Sequence, residues 1–341
     1  MAPIGSSLSS LRLVERRSNL SYTYRGEVDH EWTGASAPLG GYIIAMMLSA
    51  AILSQAEPSS GAQKPITPAH ITAHFLSRSS IGPIDFHIQI LRIGKTWSTV
   101  EVKSIQKDRN NVIAQVLFRK TMPTLPPHNE SPAEKQSAIK PMTSRSGYSI
   151  LCPMITHPKL AAPSPFTRVF NFRSHVRWNE DLAIIHRQPM TQDATEPIHW
   201  AAWHEFLDES ADVFNQPALL CYLCDMFKNF TQLLPSDDDE EATSHGNQLW
   251  FPTLVFSVRF LAPPTVTEQQ NFSRRRTGLH LTSKFNEPNG VHDDVLEVWT
   301  CPNEDQSPND FGWRHKQRCL AVGTQLATTV PSRRATFVAK L

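Results

Sequence analysis

The segment GGYIIAMMLSAAIL, from Gly40 to Leu53, constrains the fold more than any other part of the sequence. It opens with two glycines, is rich in alanine and carries no charged side chain, which predicts a helix that is apolar on every side. Such a helix needs cover all round, and a strongly curved sheet can provide it. Four strand-like runs follow, separated by Gly, Pro and Asn turn residues: AHITAHFLS, DFHIQILRI, WSTVEVKSIQ and NVIAQVLFRK.

The same order of elements recurs in the second half of the chain. A strand-like run, TRVFNFRSHVRW, precedes an apolar helix predicted from about Ala211 to Phe230, and further strand-like runs follow. A proline-rich stretch separates the halves, since residues 121–165 hold nine of the 26 prolines. We therefore predict an α+β fold of two tandem units, each an antiparallel sheet wrapped around a central apolar helix. The expected domains are the two units at 20–121 and 166–332, the linker at 122–165 and a tail at 333–341.

One carboxylate interrupts the apolar run LLCYLCDMF in the second predicted helix. Asp225 lies between Cys224 and Met226 and one helical turn from Cys221 and Tyr222, so neither flank is typical of a solvated face. Because a buried, unpaired carboxylate is costly, Asp225 must be protonated, partnered, exposed or catalytic. Taken alone, the carboxylate is better interpreted as a solvated or hydrogen-bonded residue at a helix end.

The layout of the chain and the stretch HFLSRSSIGPIDFHIQILRIGKTWSTVEVKSIQ resemble the acyl-CoA thioesterase II family of double hotdog proteins. The resemblance extends from about Glu27 to Val330, and a fungal biosynthetic-type member fits it as well. It implies that an Asp late in the second helix, a Thr in the next strand and a Gln in the last strand hold and activate a water. Asp225, Thr253 in FPTLVFSVRF and Gln325 in LAVGTQLATTV occupy those places in that order.

The chemistry of these residue types suits thioester hydrolysis. A carboxylate that accepts a proton from water accelerates the attack by about 10²–10⁴-fold, and apolar surroundings raise its pKa towards neutrality. A Thr hydroxyl and a Gln amide can aim the water without competing for its proton. Gly40 and Gly41 are candidate substrate-binding residues, because glycines at a helix start allow close approach of an acyl carbonyl or a phosphate.

We therefore expect an enzyme that hydrolyses an acyl-CoA, or a related acyl thioester, to the free acid and CoA. The alternative is a non-hydrolytic protein of specialised metabolism, either an isomerase or cyclase or an acyl-binding protein, that uses the same pocket. A hotdog hydratase is disfavoured because the first predicted helix has no acidic residue and no histidine. The sequence also lacks the Gly-x-Ser-x-Gly, phosphate-loop and dinucleotide motifs of other enzyme classes.

Charge and cysteine content argue against several other partners. The formal net charge is +1, so no global field draws in nucleic acid or an anionic membrane, and no apolar run is long enough to predict a membrane span. The five irregularly spaced cysteines predict no disulfide framework, and Cys221 and Cys224 are expected to be small core residues. His70 and His74 are expected to be partly buried strand residues. We expect no metal and no other cofactor.

The C-terminal end and two loops carry further expectations. Ala339, Lys340 and Leu341 match the small, basic, leucine pattern of a peroxisomal address, so we expect a peroxisomal protein, or otherwise a cytoplasmic one. A homodimer is expected because hotdog sheets commonly pair. The acidic run 236–248 is expected to be a solvated connection. The long polar insertion at 301–317 can reshape the acyl pocket or an interface.

Overall fold

A computed structural model of the protein describes residues 4–34, 37–58, 64–120, 151–164, 170–187, 197–229, 233, 249–285, 290–309 and 312–331. The helices are α1 (Ile4–Ser9), α2 (Gly40–Ala56), α3 (Leu182–Ile185), α4 (Pro217–Leu223), α5 (Val266–Gln269) and α6 (Trp313–Lys316). The strands are β1 (Arg12–Ser18), β2 (Ser21–Val28), β3 (Thr67–Phe75), β4 (Gly82–Ile93), β5 (Trp97–Gln106), β6 (Arg109–Arg119), β7 (Ala162–Pro163), β8 (Val176–Glu180), β9 (Ile198–Phe206), β10 (Leu249–Trp250), β11 (Thr253–Phe260), β12 (Phe272–Phe285), β13 (Val291–Pro302), β14 (Cys319–Thr328) and β15 (Val330–Pro331). The predicted acidic connection and the C-terminal address lie outside the described residues.

Thirteen of the fifteen described strands form one antiparallel sheet, in the order β1-β2-β4-β5-β6-β3-β11-β14-β13-β12-β9-β8-β7. The order β2-β4-β5-β6-β3 in the first half recurs as β9-β12-β13-β14-β11 in the second. The two halves are joined by the antiparallel pair of β3 and β11, in which Val255 lies opposite His74. The repeated order of elements that the sequence predicts is therefore present in the structure.

The helix α2 lies in the interior of the first half. Twelve of its seventeen residues are buried, and it contacts β2, β3, β4, β5 and β6. Alternate strand residues face it, as in β5, where Val100 and Val102 are fully buried. The surrounding strands explain why the helix can be apolar on every side. None of the described helices combines the length and the apolar character that a bilayer crossing requires.

The second central helix is shorter than predicted. It spans Pro217–Leu223, whereas the sequence led us to expect about 211–230. Pro217 suits the first helical position, because it has no N–H to satisfy and its φ angle is already helical. At the other end, the N–H of Asp225 donates to the carbonyl of Tyr222 at 3.0 Å, a three-residue spacing that tightens a last turn. Asp225 therefore lies two residues beyond the helix and not inside it.

The part of the insertion around α6 packs against β9 and the segment at Cys152. Trp313 of α6 lies against Trp203 of β9, with ring centroids 5.8 Å apart. The guanidinium of Arg314 donates to the carbonyl of Cys152 from Nε at 3.0 Å and from Nη2 at 2.8 Å. These contacts hold the segment around Cys152 against the outer face, where a second, smaller apolar cluster forms.

Candidate active site

The first turn of α2 meets the turn that follows α4. A Cβ atom added to Gly41 would lie 2.5 Å from Cβ of Asp225 and 2.8 Å from the carbonyl oxygen of Cys221. No side chain fits at such distances, so Gly41 is needed for the two segments to approach. Gly40 is less confined, because its nearest neighbour would be Phe75 Cζ at 3.1 Å. The paired glycines thus bring the start of one helix against the candidate base.

Asp225 accepts a hydrogen bond from the backbone of Gly41. The Gly41 nitrogen lies 2.7 Å from Oδ2 of Asp225. N–H groups in the first turn of a helix have no acceptor within the helix, and this end of a helix favours a negative charge. The carboxylate therefore completes the N-terminus of α2, while the α2 backbone holds the carboxylate in place.

Gln325 and Thr253 extend this contact into the sheet. Nε2 of Gln325 donates to Oδ1 of Asp225 at 2.9 Å and to the carbonyl of Cys224 at 3.1 Å. The Thr253 hydroxyl donates to Oε1 of Gln325 at 3.0 Å. Since both amide hydrogens and the amide oxygen of Gln325 are engaged, its orientation is determined. The residues predicted from the sequence are thus brought together, with Thr253 linked to Asp225 through Gln325.

The surroundings of Asp225 change its acidity. Asp225 is partly exposed, while its neighbours Cys224 and Met226 are buried. Burial of the carboxyl group raises the pKa of Asp225 to about 6, an effect that the hydrogen bonds from Gly41 and Gln325 oppose and the charge of Asp294 increases. Removal from water disfavours the charged form, and a nearby like charge does the same. A carboxyl group of this acidity can exchange a proton near neutral pH.

Three further polar residues lie beside Gln325 and escaped the sequence analysis. Asp294 of β13 is directly opposite Gln325 of β14 and also directly opposite Ser283 of β12. His292 of β13 lies on the same face, with Nε2 3.5 Å from Oδ2 of Asp294. The alternation in VHDDVLEV could have identified two of them, because His292 and Asp294 share the inward positions with Leu296.

The cysteine and histidine side chains near the core were considered as possible metal ligands. Cys221 and Cys224 are buried in the main core, as predicted, and burial raises the pKa of both thiols well above the usual range. His70 is partly buried, with Nε2 2.9 Å from the Ser257 hydroxyl, whereas His74 is exposed. In the part of the chain that the structure describes, no group of three or more His, Cys, Asp or Glu residues is arranged to hold a metal ion.

The chain is similar to a known protein family and to several solved structures. Residues 28–119 match the acyl-CoA thioesterase N-terminal domain family. A protein assigned as a thioesterase II from Thermobifida fusca is 17% identical, with a TM-score of 0.62 over 94% of this chain and 96% of its own. A hotdog protein of unknown function from Alicyclobacillus acidocaldarius is 16% identical, with a TM-score of 0.64 over 96% and 98%. An acyl-CoA thioesterase II from Mycobacterium marinum is 12% identical, with a TM-score of 0.58 over 97% and 99%.

These likenesses differ in what they show. No curated protein matches the chain. At identities below one fifth, the similar structures show that the fold is a hotdog fold and carry no activity with them. The family match includes Gly40 and Gly41 and ends before Asp225. Together with the fold, that match supports a thioester hydrolase.

Proposed function

We propose that the protein hydrolyses an acyl-CoA thioester to a free acid and CoA, because residues 28–119 match the acyl-CoA thioesterase N-terminal domain family. The observation that carries the proposal is the hydrogen-bonded chain from Gly41 through Asp225 and Gln325 to Thr253. It presents a carboxylate of raised pKa in a determined orientation, which is what a general base for water requires.

In this proposal, ionised Asp225 accepts a proton from a water molecule as the water oxygen attacks the thioester carbonyl carbon. Each oxygen of Asp225 accepts one hydrogen bond within the protein, so each has a further lone pair that can receive a water proton. Collapse of the tetrahedral intermediate breaks the C–S bond, and the thiolate takes up the proton held by Asp225. The carboxylate is thereby restored for the next turnover.

Gly41 and Gly40 take different roles in this scheme. The N–H of Gly41 is already bonded to Asp225, so Gly41 positions the base. The Gly40 N–H makes no hydrogen bond to another of the described residues. Gly40 is thus the candidate donor to the oxyanion that develops on the acyl oxygen. Gln325 holds the carboxylate, and Thr253 holds Gln325.

The proposal is tested by thiol release from a panel of acyl-CoAs of different chain lengths. Asp225→Asn should lower kcat by about 10²–10⁴-fold, the usual contribution of a general base. Asp305→Asn is the matched control, because Asp305 is an exposed carboxylate in a turn outside the sheet. Hydrolysis at this site is wrong if the wild-type protein releases no thiol, or if Asp225→Asn matches it. Binding of acyl-CoA without release would favour the non-hydrolytic alternative.

We also propose that the architecture is a double hotdog with units at 20–121 and 166–332, since the strand order of the first half recurs in the second. A homodimer is part of the proposal and is checked by light scattering after size-exclusion chromatography. Peroxisomal import through Ala339, Lys340 and Leu341 is checked by imaging a fluorescent fusion with and without these residues. An acyl group of specialised metabolism belongs in the substrate panel.

A further inference from the structure

A row of buried polar side chains crosses three strands next to the candidate base. Ser283 of β12, Asp294 of β13 and Gln325 of β14 lie directly opposite one another, and their exposed fractions are 2%, 3% and 4%. Side chains at directly opposite positions of antiparallel strands are in contact range. Asp225, which accepts a hydrogen bond from Gln325, therefore has a second buried carboxyl group on the other side of that glutamine.

His292 lies beside this second carboxyl group. Its ring is buried, and Nδ1 lies 3.0 Å from the carbonyl oxygen of Gly290. A carbonyl oxygen can only accept, so Nδ1 carries hydrogen and Nε2 faces Oδ2 of Asp294 at 3.5 Å. An unprotonated Nε2 would direct its lone pair at a carboxylate, which is repulsive. A proton placed on Nε2 or on the carboxyl group removes this repulsion and leaves the pair without net charge.

The charged groups around the two carboxyl groups are few. On this face Asp294 has Ser283 and Gln325 on the neighbouring strands, His292 on its own strand and Asp225 beyond Gln325, while the adjacent Asp293 is exposed on the other face. Burial raises the pKa of Asp294, the Ser283 hydroxyl and His292 lower it, and Asp293 raises it.

Around Asp225, the contacting groups are the N–H of Gly41, the Gln325 amide and the neutral Tyr222 and Cys224, with Asp294 as the nearby anion. When the His292–Asp294 pair is protonated, Asp225 is consequently the one net negative charge of this cluster of described residues.

We propose that His292 and Asp294 form a buried proton-holding pair that controls the charge on Asp225 and, through Gln325, positions this carboxylate for the proposed hydrolysis. The role in catalysis rests on the proposed function, whereas the control of charge does not depend on it. Both are positioning residues, because they act on Asp225 across Gln325 and do not touch the reacting atoms.

Replacing either member of the pair should shift the pKa of Asp225, downward in Asp294→Asn and upward in His292→Gln. In the ion-pair form the anion of Asp294 lies opposite Gln325, whereas the charge of His292 lies two residues along the strand. Asp294→Asn removes this anion, so the pKa of Asp225 falls and the acid limb of kcat/KM moves to lower pH by up to about one unit. His292→Gln leaves the charge of Asp294 without its compensating proton, so the same limb moves to higher pH. Thr277→Val is the matched control, because Thr277 is buried on the inner face of β12 and carries no charge. Its profile should coincide with that of the wild-type protein.

A second readout does not require turnover. Infrared difference spectroscopy follows the carboxyl stretch of Asp225, which is assigned by its loss in Asp225→Asn. The midpoint of this band should shift down in Asp294→Asn and up in His292→Gln. If Asp294→Asn does not fold, the midpoint of His292→Gln decides by itself, and an unchanged or lower value overturns the proposal.

The proposal is overturned if the variants fold and neither midpoint moves, or if both move in the same direction. A protein that hydrolyses no acyl thioester but still shows the two opposite spectroscopic shifts would refute the proposed function and retain the pair.

Discussion

Gly41 donates a hydrogen bond to Asp225 at 2.7 Å, although 184 positions separate the two residues in the chain. The donor belongs to the first half of the structure, whereas Asp225 and its partner Gln325 belong to the second. Neither half alone contains the complete hydrogen-bonded set. The candidate site therefore forms only when the two central helices meet.

Hydrolysis should require ionised Asp225, whose pKa is raised to about 6. We expect the acid limb of kcat/KM to have its midpoint near pH 6 and to fall tenfold per pH unit below it. A pH series of acyl-CoA hydrolysis measures this limb. A midpoint near pH 4 would show that Asp225 behaves as an ordinary carboxyl group and contradict its burial.

Replacing Asp225 by Asn should abolish a loss of stability that the wild-type protein shows as pH rises. The pKa of Asp225 is raised on folding, so the folded state binds a proton more tightly, and stability is lost as pH rises through about 6. The amide of Asn does not titrate, although its NH2 group must face the N–H of Gly41 or of Gln325, which costs about 1–3 kcal/mol at every pH. Thermal unfolding of both proteins at pH 4 and pH 7.5 measures the difference, and the wild-type protein should lose roughly 1–2 kcal/mol more than Asp225→Asn between the two values. An equal change in both proteins would refute it.

Gly41→Ala should damage both folding and activity. The new methyl group would overlap Asp225 Cβ and the Cys221 carbonyl, so the ends of α2 and α4 must separate. Overpacking of this kind costs about 1–3 kcal/mol. Gly5→Ala is the matched control, because the nearest atom, Ser210 Oγ, would lie at an ordinary 3.4 Å. Thermal unfolding and kcat should change only in the first variant, and an unaffected Gly41→Ala would count against the close approach.

Thr253→Val should lower kcat by about tenfold, since one hydrogen bond to Gln325 is worth roughly 1 kcal/mol or slightly more. Valine keeps the shape and the preference for a strand but leaves the amide oxygen of Gln325 without this donor. Thr253→Ser retains the hydroxyl and should keep most of the activity. The comparison uses kcat at saturating acyl-CoA, and equal losses in both variants would mean that the methyl group matters instead.

Arg314→Ala should loosen the attachment of the segment at residues 151–164 without affecting hydrolysis. The guanidinium makes two hydrogen bonds to the Cys152 carbonyl, and loss of charge-assisted bonds of this type costs about 1–3 kcal/mol. We expect faster proteolysis within 151–164 and unchanged kcat. His315→Ala is the control, because this neighbour is exposed. A loss of activity in Arg314→Ala would connect the insertion to the site.

Sequence patterns were sufficient for the elements that depend on local chemistry. The apolar helix at Gly40, the alternating strands and their repeated order are all present, because side-chain periodicity reports which faces an element must bury. The second helix was predicted too long, since the apolar run of residues 219–227 continues past its end. Burial is as complete in the turn at Cys224 as in a helix, so composition could not distinguish the two.

The sequence by itself determined which residue types are available: paired glycines, a carboxylate in an apolar run, and a Thr and a Gln on later strands. Only the tertiary structure decided how they are connected. Gly41 donates a hydrogen bond to the base, and Gln325 links the base to Thr253. Asp294 lies opposite Gln325 on the neighbouring strand, with His292 beside it. The physical reason is that hydrogen bonds and Coulomb interactions depend on distances between segments far apart in the chain, and those distances exist only after the two helices have packed inside one sheet.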